Sequence, residues 1–181
     1  MNRLNGNRCY LSGAMEHCVD FGADWRKKIR ADLQGIGLVF LDPTDKPIDI
    51  ISEQILNENI KTARETGDFD SIVRDVKLIR HIDLRMCDMA DMLIVNIDLT
   101  IPTCGTWEEL FTANRAKKPI LVRVVQGKAH APGWLFGTIP HQHIFSTWQE
   151  ICDYVREVDS GDYIPTYNRW LFFDLTGDCV K

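Results

Sequence analysis

The chain has 181 residues, 45% of them hydrophobic and 26% charged, with a formal net charge of −5. That is ordinary for one globular domain with a sizeable core, and the acidic balance argues against a nucleic-acid binder, which needs a basic face. No apolar run approaches the roughly 18 residues that span a bilayer, and "MNRLNGNRCYLSG" lacks the apolar stretch and cleavage site of a signal peptide, so the expectation is a cytoplasmic protein without membrane contact.

In chain order, "RCYLSG" (8–13) reads as a short strand ending in glycine. "ADWRKKIRADLQGIG" follows, with Trp25, Ile29 and Leu33 four residues apart on one helical face and Gly35 as its stop. "LVFLDP" (38–43) is a second strand closed by Asp-Pro. From about 48 to 89 the pattern is helical with a break at Gly67, and Ile72, Val76, Ile79, Ile82 and Met86 form one apolar stripe. "MLIVNI" (92–97) is apolar on both faces, as a central strand of a parallel sheet must be. A helix starts near Thr106, "PILVRVV" (119–125) is a fourth strand, "HIFS" (143–146) a short fifth, and "TWQEICDYVREV" (147–158) a closing helix that turns Trp148, Ile151 and Val155 inward. The longest irregular stretches are 126–142 and the tail from about 161 to 181. Strands alternating with helices predict a single doubly wound α/β domain over 1–181, with a mostly parallel sheet of about five strands, Rossmann-like or flavodoxin-like, and a helical insert at about 48–89.

In such a fold ligands bind outside the carboxyl ends of the strands. Those ends carry Tyr10 to Gly13, Asp42, and Asp98 with the loop to Gly105. They are rich in carboxylates and hold neither GxGxxG nor GxxxxGK[ST], so no dinucleotide fingerprint or P-loop is present. No serine occupies a strand-to-helix elbow. His141 and His143 have the only metal-like spacing, and without a third nearby ligand they read as surface loop residues, so no metal or organic cofactor is expected. The six cysteines (9, 18, 87, 104, 152 and 179) form no CxxC and read as free thiols, mostly buried, with Cys104 in the loop of interest the exposed one.

That loop is "PTCGTWEEL" (102–110). Its residues leave two roles open for Glu109. Thr106 and Glu109 have the spacing of a capping box, and a carboxylate at the C-terminal edge of a parallel sheet can also act as a nucleophile. Glu108 is one residue away, a rotation of about 100° on a helix, so it cannot serve the same site and reads as a solvated first-turn acid. Tyr10 is either a packed strand aromatic or a site residue, and Asp83 either an exposed helical residue or one. Asp91 reads as a turn residue feeding the central strand, and Asp98 is open between structure and ligand contact.

"CYLSGAM", then "HIDLRMCDMADMLIVNID", then "CGTWEELFTANRAKKPILV" together resemble the nucleoside 2-deoxyribosyltransferase family, including its branch that hydrolyses deoxynucleoside 5′-monophosphates. The resemblance runs with gaps from about residue 8 to 125, through Tyr10 and Gly13, Asp83 and Asp91, Gly105, Glu109-Leu110 with Ala113, and Lys118-Pro119. It implies that Glu109 attacks the anomeric carbon of a 2′-deoxyribonucleoside or its 5′-monophosphate, expels the base and passes the sugar to another base. Tyr10 would orient that carboxylate and Asp83 would assist the leaving base. Gly13, Asp98, Thr103, Gly105 and Thr106 are the expected substrate-binding residues, and homo-oligomers are implied, with the tail "YNRWLFFDL" (167–175) a candidate contact. A first-turn position would lower the pKa of Glu109 and keep it ionised.

Two departures bear on the substrate. Glu-Leu-Phe-Thr-Ala stands at 109–113 where many members have Glu-Leu-Gly-Tyr-Ala. Thr103 stands where the transferases often carry an acid, and a small hydroxyl residue there is a feature of the monophosphate-hydrolysing branch. Thr103 thus raises a nucleotide N-hydrolase as the alternative. A non-catalytic nucleotide sensor, and a NAD glycohydrolase, since related α/β domains also use one glutamate against a ribosyl bond, are the others.

Overall fold

The computed structural model describes residues 3–46, 53–161 and 169–170. Five strands, β1 (Arg8–Gly13), β2 (Val39–Leu41), β3 (Met92–Ile97), β4 (Ile120–Val124) and β5 (Ile144–Phe145), form one sheet in the order β2-β1-β3-β4-β5. Every pairing is parallel, with Tyr10 opposite Leu41 on one side and Leu93 on the other. This is the flavodoxin-like order expected of a doubly wound fold. β3 is central, and Met92 to Val95 are completely buried, which is why its sequence is apolar on both faces.

The described residues form six helices around it: α1 (Ala23–Asp32), α2 (Glu53–Thr66), α3 (Phe69–Met89), α4 (Cys104–Arg115), α5 (Gly133–Thr138) and α6 (Trp148–Ser160). Alternation along the strands divides the core in two. Cys9, Leu11, Met92, Ile94 and Leu121 pack with Ile29 of α1 and with Ile151 and Val155 of α6. Tyr10, Leu93, Val95 and Val122 pack instead with Met86 of α3 and Leu110 and Ala113 of α4. No helix among the described residues is long and apolar enough to cross a membrane.

Four local expectations change. The first helix stops at Asp32, not Gly35; residues 34–36 tighten into a 3₁₀ turn that Gly37 closes at φ 80°. The stretch 126–142 is less irregular than its sequence suggests, since it contains α5 and two 3₁₀ turns. The α3 stripe divides: Met86 is buried in the core, but Val76 is 41% exposed and Ile79 lines a cavity. His143 is not a surface residue. It is 1% exposed and shares a 2.8 Å hydrogen bond with the Tyr154 hydroxyl, and burial pushes its pKa down to about 4.

The break at Gly67, with φ 75°, falls between α2 and α3 as expected. Asp91 ties the start of β3 to β1 by accepting from the backbone and guanidinium of Arg8. Cys9, Cys87 and Cys152 are buried free thiols and Cys104 is exposed; Cys179 lies outside the described residues. Of the tail 167–175 only Arg169 and Trp170 are described, and Trp170 is wholly buried against its own chain, donating its indole N–H to Tyr154.

Candidate active site

A cavity of about 430 Å³ opens where β1 and β3 end side by side. Chain order reverses there, since β1 leads outward to β2 and β3 leads the other way to β4, which leaves a crevice at the carboxyl edge. Its walls are the loop after β1 (Gly13 to His17), the start of α4 (Pro102 to Thr106), and Asn57, Ile60, Val76, Ile79, Arg80 and Asp83 from α2 and α3.

Glu109 is at the centre of the polar network here, with 8% of its surface exposed. Its Oε1 accepts a 2.8 Å hydrogen bond from the Tyr10 hydroxyl, and its Oε2 a 2.5 Å bond from Ser12 Oγ. Tyr10 and Ser12 are two residues apart on β1 and so point to the same face, toward α4. Burial pushes the Glu109 pKa up to about 7; the nearby Asp83 charge adds to this, while the Ser12 and Tyr10 bonds and the Arg26 charge oppose it. Burial beside Glu109 holds the Tyr10 hydroxyl well above its ordinary pKa, so it remains a donor.

The capping box is therefore absent at this helix. α4 starts at Cys104 with Thr103 at its N-cap, so Thr106 is the third helical residue and Glu109 lies in the second turn. Beyond the first turn the dipole counts for little, and desolvation sets the direction of the pKa shift. Glu108 is likewise not simply solvated. It receives two hydrogen bonds from the Arg80 guanidinium, one of 2.8 Å from Nε.

Of the other expected site residues, Gly13, Asp83, Thr103, Gly105 and Thr106 all line the cavity. Thr103 Oγ1 donates to Thr106 Oγ1 at 2.6 Å. Asp83, with 13% of its side chain exposed, is 2.8 Å from the Lys46 ammonium; burial raises its pKa and Lys46 opposes the rise. Asp98 is not a lining residue. Its carboxylate accepts from the Thr100 amide and hydroxyl and from the Gln126 amide, which makes it a turn-forming group. No group of three or more His, Cys, Asp or Glu among the described residues has the geometry of a metal site.

Sequence reasoning missed Ser12, Lys46 and Arg80. The period of two that links Ser12 to Tyr10 was the available signal for the first. The other two pair across elements distant in sequence, and nothing local marks them.

No family model and no curated protein matches the sequence. Among solved structures, a 2-deoxyribosyltransferase from Bacillus psychrosaccharolyticus superposes with a TM-score of 0.55 at 14% identity, covering 81% of this chain and 91% of that one. The chain has the fold of a 2-deoxyribosyltransferase. A 2-deoxyribosyltransferase from Leishmania mexicana matches at 22% identity and a TM-score of 0.46, over 67% of this chain and just under two thirds, 66%, of that one. A CMP N-glycosidase from Clostridium botulinum matches at 10% identity and 0.47, over 83% and 98%.

Proposed function

We propose that the chain cleaves the N-glycosidic bond of a 2′-deoxyribonucleoside or its 5′-monophosphate and passes the deoxyribosyl group to another nucleobase. The observation that carries this reading is Glu109, a nearly buried carboxylate gripped at both oxygens beside a cavity at the fold's usual ligand-binding edge. One Glu109 oxygen attacks the anomeric carbon as the C–N bond breaks, and the bond pair leaves with the base. The sugar is then held as an ester until an acceptor base displaces the carboxylate, giving retention through two oxocarbenium-like transition states. Tyr10 orients the carboxylate. Asp83, whose pKa burial raises, assists protonation of the leaving base, worth roughly 10²–10⁴ in rate. The reading needs no metal or organic cofactor. Assembly into a homo-oligomer is part of the same proposal, and the exposed Phe69, Val73 and Val76 of α3 support it.

A second reading, hydrolysis of the 5′-monophosphate, is favoured by Thr103, which lines the cavity and makes no side-chain cap bond to the α4 backbone. The nearby cations count against a dianionic substrate, because Arg80 is paired with Glu108 and Lys46 with Asp83.

The test is chromatography of deoxynucleosides and their 5′-monophosphates, each with and without a free acceptor base, for wild type and Glu109→Ala. A new deoxynucleoside formed only with acceptor is the expected result. Base released from the monophosphate alone establishes the second reading. An alanine variant as active as wild type removes Glu109 from the chemistry. Binding without turnover by wild type marks a sensor.

A further inference from the structure

One hydroxyl does not fix a carboxylate. The last torsion of a glutamate side chain is broad and roughly two-fold, so a group held only at Oε1 keeps rotating about its final bond. A donor on the second oxygen removes that freedom, and Ser12 supplies it. Its Oγ donates to Oε2 at 2.5 Å, within the short range of hydroxyl-to-carboxylate bonds, and Ser12 is wholly buried.

The backbone carrying this hydroxyl has little slack. Arg26, wholly buried, donates Nε to the Leu11 carbonyl at 3.2 Å and an Nη to the Gly13 carbonyl at 3.0 Å, and these two carbonyls flank Ser12 in the chain. Gly13 itself packs so closely that an added Cβ would stand 2.8 Å from the Trp25 ring and 3.2 Å from the Asn96 carbonyl.

We propose that Ser12 is a positioning residue for the nucleophile: together with Tyr10 it fixes the plane of the Glu109 carboxylate toward the cavity, and Arg26 holds Ser12 in register through the Leu11 and Gly13 carbonyls. Ser12 acts only through Glu109, so its role rests on Glu109 being the nucleophile. The same bond favours the charged carboxylate and partly offsets the burial that carries Glu109 up to about 7.

The experiment follows kcat and KM from pH 5 to 9, with a deoxynucleoside donor and a free acceptor base, for wild type, Ser12→Ala, Ser12→Cys and Glu109→Gln. In parallel, carbon-13 NMR of glutamate-labelled protein titrates the Glu109 carboxyl, assigned by its loss in Glu109→Gln. Ser12→Ala is expected to lower kcat at pH 6 roughly ten- to a hundredfold, as loss of a bond to a charged group implies, with KM little changed. The acidic limb and the NMR titration should both move to higher pH, by about one unit. Ser12→Cys, a weaker donor of similar size, should fall between, and it carries the test if the alanine variant does not fold. A limb and a titration that stay in place in the variants overturn the role of Ser12. Wild-type activity in Glu109→Gln, or no cleavage by any of the proteins, overturns the nucleophile instead, while the titration still reports on the Ser12 bond.

Discussion

Glu109 must be charged to attack, yet it lies where water is nearly excluded, and the folded protein carries the cost of that charge. Its pKa rises from an ordinary 4.5 to about 7, so the folded state binds the proton more tightly than the unfolded chain does. The linked stability is fully present below the ordinary value and is lost as pH climbs from there through 7. Replacing Glu109 by Gln removes the ionisation. At pH 8 the variant should be more stable than wild type, by on the order of 2–3 kcal/mol. Calorimetric melting should show a gain that shrinks steadily toward pH 5, and a gain independent of pH would refute the desolvation argument. At this scale Glu109, Tyr10 and Asp83 stood out only through the family resemblance, and the structure brings Tyr10 into a hydrogen bond with Glu109 and puts Asp83 in the same cavity wall. The sequence misled on the direction of the Glu109 shift, which depends on how much water reaches the carboxylate, and it did not reveal Ser12.

At the scale of elements, the strands were legible as short apolar runs, two of them closed by Gly13 and by Asp42-Pro43, and most helices by their apolar period. Two things were not. Thr-x-x-Glu fits a capping box wherever it occurs, and only the backbone shows that α4 begins two residues before Thr106. The apolar stripe of α3 says which side of the helix is greasy but not what covers it, and part of it meets the cavity instead of the core. Two glycines on the elements that frame the site should respond in opposite ways. Gly13 ends β1 against the Trp25 ring, which is itself stacked on Trp148 with centroids 5.2 Å apart, so the ring cannot easily retreat. Gly13→Ala should lose about 1–3 kcal/mol by overpacking, and kcat should fall as the Ser12 backbone shifts. Gly105, in the first turn of α4, has nothing within 4 Å of an added Cβ. Gly105→Ala should stabilise the fold by up to about 1 kcal/mol through helix propensity. Because Gly105 lines the cavity, the same methyl should raise KM. Melting and steady-state kinetics on the pair check both halves, and a destabilised Gly105→Ala would mean that α4 does not start where the structure has it.

The whole molecule is a parallel sheet with different work on its two faces, and the sequence could not divide them because central strands are apolar on both sides. One face, with α3 and α4, holds Tyr10, Ser12 and Glu109. The other, with α1 and α6, holds the larger ring cluster, where the Trp170 indole donates to Tyr154 at 2.9 Å and the Tyr154 hydroxyl meets His143 at 2.8 Å. Trp170 lies far along the chain from every strand among the described residues, yet it is completely buried and closes the core from outside their repeating βα pattern. Arg169 beside it donates to the Lys118 carbonyl and to Asn114, at the opposite end of α4 from the cavity. Truncating Trp170 to Ala should therefore cost about 3–5 kcal/mol, the range for a buried aromatic that leaves a cavity behind. Because the sheet separates that cavity from the site, the surviving folded protein should keep the wild-type acidic limb and the wild-type Glu109 titration. Denaturant melts would read the first effect, and pH–rate profiles, taken at a temperature where the variant remains folded, the second. A limb that moved with Trp170→Ala would show that the two faces are mechanically coupled through β1, whose alternate residues Leu11 and Ser12 belong one to each.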